Sequence, residues 1–522
     1  MIIRHVFSVL CLTASLVLPP AQAQSPSAST SRHIERLTIA DEQGDHGLPS
    51  PFTHAADGVG FVLTTLAFDS LLWRDRTGKL IPALAVEWKE STDHRAVEFV
   101  LRPESRWHDG KPVTAADVAF TFDYFRRHPH PFLDVGAVAG ADDLGDGRVR
   151  VRLKRVYAPF VPQLAGALPI LPRHVFDRLD DPRRLRMAEI VGSGPYRVTG
   201  YDKAGGRYRF SANDDYYLGR PRVRELVFVR MEPALALGAL KRGEVDMIRS
   251  LPLPLLPEAE RFATVVKAQS GHPIRLRFNH ARPPFDDKRL RQAFAHAIDR
   301  DELLRVVEGG LGEVSAGRFL RNSPWQTGTP LAAYAFDLSA ARRALEEHGF
   351  AADAQGRLHG RNGKPLTVEL AAARNHARLA SALAGQLEKL GVAVEVRIVD
   401  GGILAARIGS DDFDLALVTQ GSNGDPESMT RQMVGTAPFS DAFRRREDLV
   451  DLLARQVATA DTDERRDLLD RAQAIYADEL PAFYLYSPLW ATAANSKLRP
   501  WFTPGGFAFG IPLPLNKLMF VQ

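Results

Sequence analysis

Few places in this 522-residue chain bring reactive side chains together in sequence. His128-Pro129-His130 is the tightest histidine pair, and imidazole nitrogens are good ligands for zinc, copper or nickel. It has no HExxH companion and sits in a loop, so a solvated turn is expected there and no metal site. Gly192-Ser193-Gly194-Pro195-Tyr196 could pass for a phosphate loop. Arg197 stands where the third glycine of G-x-G-x-x-G belongs, and no Lys-Ser pair follows. The spacing is also not the G-x-S-x-G of a hydrolase elbow, so a turn entering a hairpin is expected. No Ser/His/Asp order rises above chance. The single cysteine, Cys11, lies in an apolar leader. No catalytic residue and no cofactor is therefore expected.

A different kind of candidate is the polar run Gln420-Gly421-Ser422-Asn423-Gly424-Asp425-Pro426. Its place depends on the elements before it. Residues 366–370 read as a strand. Leu379, Leu383, Leu387 and Leu390 then line one face of a helix that Gly391 stops, and residues 392–399 read as a second strand. In such a βαβ unit, ligands sit at the carboxyl ends of the strands. Residues 413–419 form the next apolar strand, and the polar run is the loop at its carboxyl end. Topology thus nominates Gln420, Ser422, Asn423 and Asp425 as ligand contacts.

Other segments give a mixed pattern. Residues 35–40 read as a first strand, and 59–72 as a helix. Strands are expected at 85–89 and 95–101, where Val97, Phe99 and Leu101 alternate. Thr114 and Asp117 form a capping-box-like start for a helix carrying Val118, Phe122 and Phe125. Residues 148–153, 207–211, 225–230, 245–248, 274–278 and 482–486 read as further strands. Helices are expected from Pro233 to Gly243, from Asp286 or Asp287 onward, and near 447–459 and 463–478. The fold class is α/β.

Several stretches carry more than periodicity. Pro82, Leu84-Ala85, Trp88, Leu101-Arg102, Trp107, Asp109-Gly110, Pro112, Thr114-Ala115 and Asp117-Val118 make one long pattern. GSGPY at 192–196, ALGALKRGEVDMI at 236–248 and PFDDKRLRQAFAHAIDRDEL at 284–303 make others. In these words the chain resembles the extracellular solute-binding proteins of family 5, the dipeptide, oligopeptide and nickel receptors of ABC importers. The resemblance implies a type II periplasmic binding-protein fold, with two lobes and an extra small domain. It implies discontinuous units: 34–75 with 189–275 and 486–522 as domain I, 76–188 as domain II, and 276–485 as domain III. It also implies that the loop after the first strand, residues 41–57, reaches toward the cleft, which adds Phe52 and His54 as ligand contacts. In peptide binders of the family, an aspartate four residues before a proline pairs with the ligand's α-amino group. Asp425-Pro426 keeps the end of that segment, but Ser422 stands at the anchor position. A hydroxyl there removes a charge-assisted bond, the stronger kind of hydrogen bond.

Composition agrees with a soluble binding protein. The 67 basic and 63 acidic residues leave a formal charge of +4, and both signs are interspersed, so no nucleic-acid partner is expected. At this length two or three domains are the prior. Arg4 and His5, the apolar run 6–18 and Ala21-Gln22-Ala23 read as a secretory signal cut after Ala23. Leu10 before Cys11 is too large for a lipoprotein site, and residues 24–33 read as a flexible tether. The expected protein is a monomeric periplasmic receptor for peptides or peptide-like solutes, handing its cargo to an inner-membrane ABC permease. Cargo of another kind (a sugar conjugate, opine, haem or metal chelate) and an exported enzyme or chaperone on the same fold are the alternatives.

Overall fold

The computed structural model describes residues 33–55, 58–130, 133–314, 325, 334–419, 421, 424–436 and 439–521. The expected leader, residues 24–32 of the tether, and Gln420, Ser422 and Asn423 lie outside the described residues. The fold is mixed α/β, as expected. One 12-stranded sheet runs through the molecule. Its order is Ala393–Val399, Thr367–Ala373, Leu415–Thr419, Ile274–Phe278, Ala482–Ala494, Met247–Ile248, Ile34–Asp41, Val223–Arg230, Arg207–Ala212 and Tyr196–Asp202. Thr264–Gln269 and Gly312–Val314 also pair with Ala482–Ala494.

The strand Ala482–Ala494 is longer than expected. The sequence pattern ends it at Tyr486, but it continues for 13 residues in all, through Ser487-Pro488. Pro488 is tolerated because it stands opposite Gly312 in a three-residue strand at the margin. The strand's first residues, Phe483, Leu485 and Tyr486, belong to a core with Leu276, Phe294, Leu383 and Leu417. Its last, Ala494, belongs to a core with Leu37, Phe61, Tyr196 and Phe520. One strand therefore ties two cores together.

Strand directions fix where the loops meet. Ala482–Ala494 runs from the second core to the first. Ile274–Phe278 is antiparallel to it, and Leu415–Thr419 is antiparallel to Ile274–Phe278. Leu415–Thr419 and its parallel neighbour Thr367–Ala373 therefore point toward the first core. Met247–Ile248 is antiparallel to Ala482–Ala494 and parallel to Ile34–Asp41. Ile34–Asp41 thus points toward the second core. The carboxyl ends of both strand sets converge, the arrangement that places ligands at strand ends.

A separate four-stranded antiparallel sheet, Ala85–Glu90, Ala96–Leu101, Arg148–Leu153 and Val138–Gly145, carries the helix Ala115–Arg127. Val97, Phe99 and Leu101 face inward in strict alternation. The capping box forms: the Thr114 N–H donates to Asp117 Oδ2 at 2.9 Å, and the Asp117 N–H donates to Thr114 Oγ1 at 3.3 Å. Asp117 Oδ1 also accepts from the Arg173 N–H at 2.9 Å, which ties the next segment to the helix start. Val138–Gly145 is a strand that the sequence pattern does not announce. Its Gly140, Asp142, Asp143 and Gly145 are turn-forming types, and it survives as an edge strand with two register shifts.

The first helix is shorter than expected, Gly58–Ala67 rather than 59–72. The GSGPY turn explains its end. The Gly194 N–H donates to the Ala67 carbonyl at 2.8 Å. A Cβ at Gly192 would lie 1.9 Å from that carbonyl oxygen, and one at Gly194 would lie 2.5 Å from the Leu66 oxygen. Both positions need glycine because backbone meets backbone there. The turn enters the hairpin Tyr196–Asp202 and Arg207–Ala212, as expected.

Candidate functional site

The loop after Leu415–Thr419 is held at its described positions. Thr419 Oγ1 lies 3.0 Å from His376 Nε2. The Gly421 carbonyl accepts from Gln432 Nε2 at 2.6 Å, and a Cβ at Gly421 would lie 2.4 Å from His272 Nε2. Gly424 adopts φ +73°, and a Cβ there would come within 3.3 Å of the Gly505 oxygen and 3.7 Å of Gln163 Nε2. The loop is therefore seated against residues 505–510 and against Gln163. Nearby, the Ala158 N–H donates to the Val457 carbonyl at 2.9 Å, a second contact between the two halves.

Asp425 is only 1% exposed. Its Oδ1 accepts from the Glu427 N–H at 2.8 Å and from Arg465 Nη2 at 2.6 Å, and its Oδ2 accepts from Arg465 Nη1 at 3.1 Å. Arg465 also donates to Gln456 Oε1 at 2.9 Å and lies over the Trp325 ring. The carboxylate thus takes up the N–H of the first residue of the helix Glu427–Met433 and neutralises a buried guanidinium. Sequence reasoning finds Asp425 but not Arg465, which is 40 residues away and carries no local signal.

The opposite loop leaves Ile34–Asp41 at a buried anchor. Asp41 accepts both Arg249 Nε and Nη2 at 2.9 Å, and His46 Nε2 lies 2.9 Å from its Oδ2. These partners outweigh burial and hold the Asp41 carboxyl well below its ordinary range. Beyond it, Phe52 packs against Phe125 with ring centroids 4.8 Å apart and against Tyr124 at 5.7 Å. His54 Nδ1 lies 2.6 Å from the Ala55 oxygen, and its Nε2 lies 3.3 Å from His130 Nε2. Phe52 and His54 share a cavity of about 540 Å³ with His128, His130, Asp180 and Asp181. The structure therefore brings Phe52 and His54 together on one wall, while Asp425 stands in the other half, paired to Arg465.

The expectation for His128-Pro129-His130 is corrected by the packing around it. The turn is not simply solvated, because His130 is half-buried against Phe52, Phe125 and His54. Proline in a loop signals a turn but not what packs on it. Burial pushes the His130 imidazole down to about 4, and the His376 imidazole likewise to about 4. Burial also lowers His272. These rings are neutral near pH 7. Among the described residues, no three His, Cys, Asp or Glu side chains converge as a metal site. Sequence reasoning misses His272 and His376 because each is a lone histidine in a strand-end segment.

A family model described as bacterial extracellular solute-binding proteins, family 5 Middle, matches residues 79–441. The dipeptide-binding protein of Escherichia coli (strain K12) is 25% identical over 448 residues, covering 78% of this chain and 81% of that protein. Among solved structures, NikZ from Campylobacter jejuni in complex with Ni(L-His) has a TM-score of 0.80 at 21% identity, covering 94% of this chain and 100% of that one. DppA from Helicobacter pylori in complex with the peptide STSA has a TM-score of 0.77 at 21% identity, covering 93% and 99%. The likeness to these structures is one of fold.

Proposed function

This chain belongs to the bacterial extracellular solute-binding proteins, family 5, and we propose that it is an exported receptor for peptides or peptide-like solutes. It would deliver them to an ABC permease in the inner membrane. The observation that carries this reading is the match to a dipeptide-binding relative across 78% of the chain. The facing strand ends support it, because the carboxyl ends of Ile34–Asp41 and Leu415–Thr419 point toward one another. We take residues 34–75 with 189–275 and 486–522 as one lobe, 76–188 as its small domain, and 276–485 as the other lobe. Cargo would favour the closed form by touching both sides, a population shift that needs no covalent chemistry and no enzyme activity. The signal peptide cut after Ala23 would place the receptor in the periplasm.

A specific observation favours a second reading of the cargo. Asp425 does not replace the missing anchor at Ser422, because it is buried and its charge is already met by the bidentate Arg465. The loop then lacks a carboxylate for an ammonium, and the solute is one without a free α-amino group. A blocked peptide, sugar conjugate, opine, haem or metal chelate would satisfy this.

Native mass spectrometry of freshly purified protein identifies retained cargo, and calorimetry with a dipeptide panel tests the anchor. Ser422→Asp should strengthen binding of unmodified dipeptides about tenfold or more, the scale of one hydrogen bond to a charged group. Tight dipeptide binding by the unaltered chain would exclude the second reading. Turnover of a peptide or ester panel would exclude the receptor reading itself.

A further inference from the structure

The two halves are joined where the chain passes between their cores. Every buried member of the cores around Leu276, Met429 and Phe413 lies between Ile274 and Tyr486. Every buried member of those around Leu37 and Ala236 lies outside that stretch. The crossings are therefore residues 270–273 and Ser487-Pro488. Gln269 pairs with Leu489 and Ile274 with Tyr486, so four residues stand opposite two, and the pairing shifts register just beyond. Short segments of this kind absorb the dihedral changes of a hinge.

The first crossing is Ser270-Gly271-His272-Pro273, and its histidine is held from several sides. Gly271 adopts φ +62°. The His272 N–H donates to Ser270 Oγ at 3.1 Å, and His272 Nδ1 lies 2.9 Å from the Ser270 carbonyl oxygen. A carbonyl only accepts, so Nδ1 carries the proton and Nε2 is a lone pair. The ring leans on Trp490, with centroids 5.0 Å apart, and Trp490 packs on the first core. Its far edge meets the second half. A Cβ at Gly421 would lie 2.4 Å from His272 Nε2, 2.5 Å from Cε1 and 3.1 Å from Cδ2, its three nearest atoms. This ring is what leaves no room for a side chain at position 421. Gly421 is held in turn, since its carbonyl accepts from Gln432 Nε2 at 2.6 Å.

We propose that His272 is the positioning residue of the hinge, a spacer between Trp490 of one half and Gly421 of the other that sets the angle between them. A ring bonded to its own turn moves with the turn or by breaking its bond to Ser270. Pressure on Gly421 therefore becomes rotation at the crossing, and a small shift there grows along each half. The halves also touch where Ala158 donates to Val457 and where Gly424 stands against Gly505. Those contacts lie off the chain that joins the halves. Use of the spacer by cargo rests on the receptor reading: a solute drawing Gly421 onto the ring would select one angle. The spacer itself does not depend on that reading.

Pulsed electron resonance of the full chain, stripped of retained solute by unfolding and refolding, tests this. Spin labels at Arg207→Cys and Glu395→Cys stand on exposed positions near opposite ends of the large sheet. Cys11→Ser removes the one native cysteine. Ordinary contact needs about 3.5 Å, so Gly421→Ala forces about 1 Å of movement at the ring. It should shift the mean label distance by about 2 Å or more. His272→Ala should broaden the distribution, because the spacer is gone. In the His272→Ala background Gly421→Ala should add no shift, the coupling expected of residues in contact. Where thermal melts show that Gly421→Ala fails to fold, the width for His272→Ala decides alone. No shift from Gly421→Ala, the same shift without His272, or an unbroadened His272→Ala distribution would each overturn the spacer. The receptor reading fails separately, on turnover of the peptide or ester panel, and these distances need no solute.

Discussion

Each half of the molecule buries an acidic centre, and the two are built on different terms. In the first core, Asp69 pairs with Lys517, both without exposure, and accepts from Tyr217 Oη at 2.7 Å and Tyr216 Oη at 3.4 Å. Lys517 Nζ also lies 3.9 Å from the Trp73 ring centre. In the second, Asp441 faces two cations. Arg275 Nη1 lies 2.5 Å from its Oδ2, Arg277 Nε lies 3.8 Å from its Oδ1, and Tyr476 Oη donates to it as well. One centre is balanced and the other carries a surplus positive charge, partly met by the Phe413 ring under Arg277. The difference matters because lysine can shed its proton when its partner is lost, whereas arginine cannot.

That contrast can be broken most forcefully by removing the acids. Asp441→Ala should destabilise by about 5 kcal/mol, because two guanidinium groups remain charged in the interior. Asp69→Ala should cost less, about 3 kcal/mol, since Lys517 can go neutral. Urea unfolding at several pH values separates them further. Burial already lowers Lys517 against the pull of Asp69, and without Asp69 it falls further. The folded Asp69→Ala protein then binds fewer protons than the unfolded chain. Its stability should rise as pH climbs from 7 toward 10, while the Asp441→Ala deficit stays flat.

An effect comparable to that of Asp69→Ala, but confined to acid pH, tests the balanced core through its histidine. His108 accepts the Gly192 N–H on Nδ1 at 3.2 Å, and its Nε2 lies 3.0 Å from the Gly194 oxygen. Burial is the main cause that pushes it down to about 4. Folding therefore loses stability as pH falls from 6.5 to 4, by on the order of 3 kcal/mol. His108→Gln should remove that share of the slope in thermal melts across the same range. The smallest expected change is Arg277→Met, which takes the surplus charge from the second centre. It should alter unfolding free energy by no more than about 1 kcal/mol, with either sign, because Asp441 keeps Arg275 as its partner and no buried charge is left unpaired. A loss of several kcal/mol would mean that Asp441 depends on Arg277 as much as on Arg275.

How much of this was legible in sequence depended on how local the cause was. The capping box at Thr114 and Asp117, the helix stopped by Gly391 and the alternation at Val97, Phe99 and Leu101 all arise within a few residues, and all formed. The family words pointed to the fold, but the reasons behind them appeared only in three dimensions. Gly192 and Gly194 are glycines because a helix end 125 or more residues earlier lies against them. The strand Val138–Gly145 was hidden because an edge position tolerates the glycines and aspartates that mark turns elsewhere. At the candidate site, topology nominates the loop after Leu415–Thr419, and the resemblance nominates Phe52 and His54. The pairing of Asp425 with Arg465 and of His54 with His130 was not, since each depends on a partner distant in sequence.

The position of Lys517 bears on the order in which the protein can fold. Asp69 and Lys517 are 448 residues apart, and Leu515, Leu518, Met519 and Phe520 fill the same core as Leu37 and Phe61. The packing of the amino-terminal lobe is therefore complete only when these late residues are present. Chains cut before Leu513 should accordingly stay sensitive to protease across residues 34–75, where the full chain resists.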